Sequence, residues 1–372
     1  MSIRKRVLED GEIRWQVDYR DNAGTRRHRQ FRTKREADAF HAKARTEVAA
    51  GVHTPDSVAI TIAEAADLWL TRCERDALER STILAYQQHV ELHILPHLAT
   101  TKLSRLSVPA VNAFRDQLLD TGRSRDMVRR VLASLAALVD EAMGRGLVGV
   151  NNVRAVSKIK RGKRLEALIE MPTKDELRAI IATSPERQRP LILTALFAGL
   201  RASELRGLLW EDVDLKGGEI HVCRRVDRFN KFGPPKSEAG TRTIPMSPLL
   251  LNTLKTWKLS CPNGELGLVF PNGAGKIENH GNLLSRVFWP IQIAAGVTVL
   301  KDGRRDAKYS LHALRHACAA LWIEQGFGPK RIQALMGHSS ITQTFDRYGY
   351  LFEAGEADAT AMAAITVKLV EQ

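Results

Sequence analysis

From residue 12 the chain alternates. In "GEIRWQVDYRDNAG", Trp15, Val17 and Tyr19 fall on one side, and Arg14, Gln16, Asp18 and Arg20 on the other. A period of two over this length predicts a half-buried strand. The turn signals "EDGE" and "DNAG" flank it, and "TRRHRQF" reads as a third strand. "TKRE" (33–36) is a capping box that opens a helix running to about Ala50. Residues 1–55 are therefore expected to fold as a three-stranded sheet packed on one helix. The polar sheet face suits a groove of DNA, since β-ribbons read grooves. It equally suits a merely solvated surface.

The period changes to that of a helix from Thr61 to about Asn151. "TIAE" (61–64) is a second capping box, leading into "AADLWLTRC". Ser81 opens "STILAYQQHVELHIL", which Pro96 is expected to stop. Pro109 sits where a first-turn proline belongs. "SRDMVRRVLASLAALVDEAMGRG" is a long amphipathic helix ending at glycines. Residues 60–152 thus predict a helical bundle. Residues 153–171 are weakly periodic and densely charged, and read as a linker. A third unit, 172–356, opens with helices at 173–183 and 186–198. A strand-rich stretch follows at 217–246, then more helices. In the tail, 357–372, Ala359, Met362, Ile365 and Leu369 recur at helical spacing. That stripe fits packing either on a neighbouring protomer or back on its own domain. The fold class expected is multidomain, mainly α with small β-sheets.

Composition narrows the function. The 372 residues hold 56 Lys+Arg against 42 Asp+Glu, a net +14, and such a field attracts polyanions. The charge is clustered: "RAVSKIKRGKR" (154–164) carries Arg154, Lys158, Lys160, Arg161, Lys163 and Arg164 and no acid. These six are the candidate DNA-binding residues. No apolar run is long enough to span a bilayer. The N-terminus is charged from the start and has no secretory h-region. Four dispersed cysteines argue against a disulfide framework or a zinc knuckle and fit a reducing, cytoplasmic setting.

Three motifs fail on inspection. "GAGK" (273–276) lacks the first glycine of a phosphate-binding loop, since Phe270 stands there. "HALRH" (312–316) lacks the glutamate of a zinc protease, since Ala313 follows His312. No acidic cluster offers a two-metal site. What remains is a dispersed set of phosphate-seeking residues: Arg201 in "FAGLRASELRGLLW", Lys236 in "GPPKSEAGTRTIP", His312 and Arg315 in "HALRH", and His338 in "LMGHSS", with Tyr348 and Tyr350 beyond them. Alone, each is more often a solvated charge, a structural histidine or a core tyrosine with a satisfied hydroxyl.

In this order, "GLRASEL", "PKSEAGTRTIP", "HALRH" and "LMGHSSITQTFDRYGYL" closely resemble the tyrosine recombinases, the phage integrase family. The resemblance covers 172–352. It extends to the helical bundle, which is similar to the family's core-site-binding domain, and to residues 1–55, which resemble its arm-binding domain. It implies that Arg201 and Arg315 hold the scissile phosphate, that His312 and His338 complete the pocket, and that Lys236 is the general acid. It further implies that Tyr348 is the nucleophile and Glu204 a supporting acid. Relatives often carry His where this chain has Tyr350, which makes Tyr350 a rival to Tyr348. No cofactor or metal is implied. The partners implied are double-stranded attachment-site DNA, a homotetramer on that DNA, a host DNA-bending protein and an excision directionality factor, in the bacterial cytosol or nucleoid and with no membrane.

The chemistry of the residues agrees. Phosphoryl transfer needs charge placement more than covalent help. Guanidiniums bind a phosphate through paired N–H groups, which lysine cannot do. A tyrosine hydroxyl, with a pKa near 10, attacks when a cationic pocket stabilises its oxyanion. A phosphotyrosine ester keeps the energy of the broken diester, so no nucleotide is needed. The expected activity is integration and excision of a phage or mobile element through a 3′-phosphotyrosine. Two rivals remain: a type IB topoisomerase, which shares the chemistry, and a DNA-binding regulator with an inert site.

Overall fold

The computed structural model describes residues 1–156 and 170–351. The chain divides into two compact units, 1–166 and 167–372. Lys158, Lys160, Arg161, Lys163 and Arg164, the apolar stripe of the tail and the side chain of Tyr350 lie outside the described residues.

The first unit begins with an antiparallel sheet of β1 (Ser2–Val7), β2 (Ile13–Arg20) and β3 (Arg26–Phe31), with β2 central. Val17 and Tyr19 are buried toward the helix Lys34–Ala49, whose Thr33–Glu36 capping box is formed as the sequence requires. The opposite face is polar. Its register sets Arg4 and Gln30 beside Gln16, and Ser2 and His28 beside Asp18. Gln16 and Asp18 are nonetheless buried, because the long side chains of the outer strands cover them. The helices Ile62–Arg75, Arg80–His89, Val108–Asp120 and Arg125–Gly144 then surround a core of Trp69, Ile94, Phe114, Leu118, Leu135 and Leu138. Asp56 ties the sheet to this bundle. Its carboxylate meets Arg29, Arg105 and the Ser104 hydroxyl, and its carbonyl accepts from Lys102.

Pro96 does not stop its helix. A π-turn, Val90–Ile94, shifts the hydrogen-bond ladder, and one further turn, Leu95–Leu98, holds the proline at its start. A proline is tolerated in the first turn of a helix, where its fixed φ is compatible with the backbone.

In the second unit, helices Lys174–Thr183 and Arg189–Phe197 pack on Pro248–Ser260 and His312–Glu324 around Ile180, Ile192, Leu196, Leu254, Phe288 and Leu314. The strand-rich stretch forms two small sheets. One is β4 (Val213–Asp214), β5 (Glu219–Val222) and β8 (Arg242–Pro245); the other is the hairpin β6 (Arg225–Val226) with β7 (Phe232–Gly233). A further hairpin, β9 (Thr298–Lys301) with β10 (Arg304–Ala307), stands where only helices were expected. Its strands are four residues each and mostly exposed, so no buried alternation announces them. Among the described residues no helix is long and apolar enough to cross a membrane.

Candidate active site

The helix Pro329–Met336 ends at Gly337, whose φ of +62° places it in the left-handed region. That conformation favours glycine. A Cβ here would also meet the Ala239 carbonyl oxygen at 2.8 Å. The turn exposes the last carbonyls of the helix, and three arginines from three elements claim them. Arg242, on β8, donates Nε to the Leu335 carbonyl at 2.7 Å. Arg315, on the helix His312–Glu324, donates to the Met336 carbonyl. Arg201, just before the short helix Ala202–Gly207, donates Nη2 to the Gly337 carbonyl at 2.9 Å. A helix C-terminus carries partial negative charge, so the cations are stabilised there.

Glu204 sits among these cations. Its carboxylate accepts from the Arg201 backbone N–H at 2.8 Å, from Arg201 Nη1 at 2.7 Å and from Arg242 at 2.8 and 3.1 Å. Burial by itself raises the carboxyl pKa. The bonds and charge of Arg242, then the charges of Arg201 and Arg315, more than reverse this and bring it down to about 2. Arg315 is 2% exposed and also donates to the Gly199 carbonyl at 2.5 Å. Burial, then repulsion from Arg201, lowers it to about 9, so it stays charged at neutral pH.

His338 follows Gly337 directly. It is buried, with Nδ1 2.9 Å from the Thr344 hydroxyl and Nε2 without a hydrogen-bond partner. Burial first, then Arg315 and Arg347, push it down to about 3, so it is neutral at pH 7. The neutral tautomer in which the Thr344 hydroxyl donates to Nδ1 carries its proton on Nε2 and offers an N–H donor with no partner among the described residues. His312 is exposed at its edge. The cover over its ring, then the charges of Arg315 and Arg347, lower it to about 4.

Tyr348, the last residue of the helix Ile341–Tyr348, is fully buried, and its hydroxyl lies 2.6 Å from His316 Nδ1. His316 is lowered to about 3, by burial first and then by His312 and Arg347. A neutral imidazole protonated on Nε2 accepts here, with the tyrosine O–H donating. The rings of His312 and His316 stand 4.6 Å apart.

The structure thus brings together Arg201, Glu204, His312, Arg315, His338 and Tyr348. Lys236 is exposed on the connection from β7 to β8 and makes no hydrogen bond or ion pair to any of these six. The β6–β7 turn itself is fixed by buried Arg206, which donates to the carbonyls of Glu278 at 2.7 Å and Asp227 at 3.2 Å. Arg154 is engaged by Asp140 through bonds of 2.9 and 3.0 Å. Sequence reasoning missed Arg242 and His316. Arg242 shares the inward face of β8 with buried Ile244, and an arginine in that register is a readable signal. In the sequence His316 stands only as half of a failed zinc motif. Among the described residues no group of His, Cys, Asp and Glu could hold a metal ion.

Comparison with known proteins bears on the same region. The profile of the phage integrase family matches residues 170–353. The tyrosine recombinase XerC-like protein of Caldanaerobacter subterraneus subsp. tengcongensis is 24% identical, covering 96% of this chain and 98% of its own. The Tn1549 transposon integrase in complex with transposon right end DNA superposes with a TM-score of 0.66 at 17% identity, over 82% of this chain and 100% of that one. A lambda integrase tetramer bound to a Holliday junction gives 0.59 at 20% identity, over 91% and 96%.

Proposed function

The chain belongs to the phage integrase family through residues 170–353, and on that premise we propose how its site works. The protein is a site-specific DNA recombinase, an enzyme that cleaves and rejoins strands to move a phage or mobile element. The observation that carries the mechanism is the orphan Nε2 of His338 beside Arg201 and Arg315. Such a set of donors is completed by an anion with several oxygens. A DNA phosphodiester offers two non-bridging oxygens to it. Arg201 and Arg315 each keep N–H groups beyond those spent on carbonyls, and guanidiniums bind such oxygens in pairs. His338 and His312 donate further. Negative charge grows on these oxygens during attack, and donors already in place stabilise it without reorganisation.

Tyr348 attacks phosphorus. The Tyr348 Oη–P bond forms, its hydroxyl proton passes along the hydrogen bond to His316 and on to solvent, the P–O5′ bond breaks, and the strand is left as a 3′-phosphotyrosine. The departing 5′-oxygen takes a proton from Lys236, which must swing in from its exposed connection. His316 holds the attacking hydroxyl. Its depressed basicity suits an orienting acceptor better than a strong base. The reverse step, with a 5′-hydroxyl from another duplex, completes strand exchange. Arg154 and the basic stretch 157–164 grip the DNA backbone, and residues 1–55 bind outlying arm sites. A homotetramer assembles on two duplexes in the bacterial cytosol, aided by a DNA-bending protein and a directionality factor.

The test is covalent capture. A nicked duplex carrying the attachment site, read from the junction of the element with its chromosome, traps the adduct. Proteolysis and mass spectrometry should place the phosphonucleotide on the peptide containing Tyr348. Absence of any adduct with a bound site overturns the reading.

A further inference from the structure

Arg242 stands outside the set of residues that would touch DNA, yet it is the most fully engaged cation of the site. Its side chain is 5% exposed. It donates to both oxygens of Glu204, to the Leu335 carbonyl at 2.7 Å and to the Gly240 carbonyl at 2.9 Å. A single planar fork thereby joins β8, the helix end before His338 and the carboxylate that holds Arg201. Lysine cannot reproduce this, since its donors radiate from one point. Arg242 also packs against Gly337, where a Cβ would lie 3.1 Å from its Cδ and Nη1.

We propose that Arg242 is a positioning residue: it keeps Glu204 ionised and fixed, and through Glu204 it aims the guanidinium of Arg201 at the scissile phosphate. The inference rests on the recombinase reading for its catalytic consequence, though not for its electrostatic one. Glu204 is faced by Arg201, Arg242 and Arg315, with His312 nearby. Arg315 bonds to carbonyls rather than to Glu204, and the Arg201 side chain that also bonds Glu204 is 34% exposed against 5% for Arg242, so removing Arg242 withdraws the larger buried support of the carboxylate. Two consequences follow. Glu204 binds a proton more readily, and a protonated Glu204 no longer restrains Arg201 as an ion pair.

A merely structural arginine would lower stability at every pH alike. A positioning arginine predicts a new acid limb. Single-turnover adduct formation on the nicked attachment-site duplex is to be followed from pH 5 to 9 for wild type, R242M, R242K and R242M/E204Q. Half-site binding and melting temperature are measured alongside. R242M should bind the half-site as wild type does, but cleave more slowly. At high pH its loss should stay below the about 10²–10³-fold expected for a donor to the reacting phosphate. Its rate should fall further as pH drops, over a range where the wild-type rate is flat. R242K should recover part of the rate, and R242M/E204Q should lose the added limb because the titrating carboxyl is gone. Breaking a buried ion pair on one side is strongly destabilising, and the double variant and R242K keep the test open if R242M does not fold. A pH profile parallel to wild type in the variants overturns the inference. So does an acid limb that persists in R242M/E204Q. Carboxyl ¹³C titration of Glu204 in the DNA-free protein separates the two readings. A Glu204 titration in R242K unchanged from wild type overturns the inference whether or not the wild type cleaves DNA. Loss of all adduct in wild type, with Glu204 displaced as expected, faults the recombinase reading alone.

Discussion

At the scale of single residues, the site is a balance of buried charge. Arg201, Arg242 and Arg315 are held by one carboxylate and a row of backbone carbonyls, and the histidines around them are kept neutral. This gives three predictions. Tyr348→Phe should abolish the covalent adduct while half-site binding survives, and Tyr350→Phe should not; an adduct from Tyr348→Phe removes the assignment. Arg201→Ala, Arg315→Ala and Lys236→Ala should all slow cleavage of ordinary DNA, by about 10²–10³-fold where a charge-stabilising donor is lost. A 5′-bridging phosphorothiolate leaves without a proton, so it should rescue Lys236→Ala alone. Rescue of Lys231→Ala instead would move the acid to the hairpin. The third concerns pH. His316 and His338 have folded values near 3, below the ordinary 6.5. Between those values the unfolded chain binds more protons, so stability rises with pH. The contribution is complete above about 6.5 and is lost as pH falls toward 3. The melting temperature should therefore drop between pH 7.5 and 5, and less so in His316→Gln. Glu204 acts in a lower window, losing its contribution only below about 4.5. Equal drops in both proteins would count against a neutral His316.

At the scale of elements, local chemistry explains most of the boundaries. The capping boxes at Thr33, Thr61 and Thr173 start their helices as the S/T-x-x-E pattern requires, and Ser107 and Ser124 cap two more. Caps depend on a few neighbouring residues, and for that reason they were legible. The π-turn before Pro96 and the β9–β10 hairpin were not, because each is settled by packing or by pairing that leaves no periodic trace. The turn at Gly337 is the boundary that builds the candidate site, since Arg201, Arg242 and Arg315 bond the carbonyls there. Gly337→Ala should destabilise the second unit by about 1–2 kcal/mol from backbone strain alone. The clash with the Ala239 carbonyl adds to that. Cleavage should fall more than binding, since the carbonyls that seat three arginines move with the turn. Thermal melting and adduct kinetics on the same samples check this. The helix Ile341–Tyr348 poses the complementary question, since it buries the hydroxyl that the proposed reaction brings to DNA. Its amides should lose hydrogen-exchange protection when attachment-site DNA binds.

At the scale of the whole molecule, the first unit combines the N-terminal sheet and the bundle. Asp56 links them through Arg29, Ser104 and Arg105. Residues 1–55 carry 13 Lys+Arg against eight Asp+Glu, and the β1–β3 register places Arg4, Arg6, Arg14, Arg20 and Arg26 on one face. Deleting this segment should abolish footprints at outlying sites and leave core cleavage. Each lost phosphate contact should lower the salt slope of log affinity by about 0.9. If the core footprint shrinks and no outlying footprint exists, the segment extends the core clamp instead. The ordered motifs from "GLRASEL" to "GHSSITQTFDRYGYL" were enough to determine the family, the reaction and the identity of Arg201, Glu204, His312, Arg315, His338 and Tyr348 as candidates. Such residues are chosen by chemistry, and chemistry is written in residue type and order. The contacts of Arg242 and His316, on which their proposed roles rest, were decided only by tertiary structure. Arg242 lies 38 residues from Glu204 and 93 from Leu335, and His316 lies 32 from Tyr348. Neither spacing has a local period, so their meetings exist only once the strand and the helices have packed around the end of Pro329–Met336.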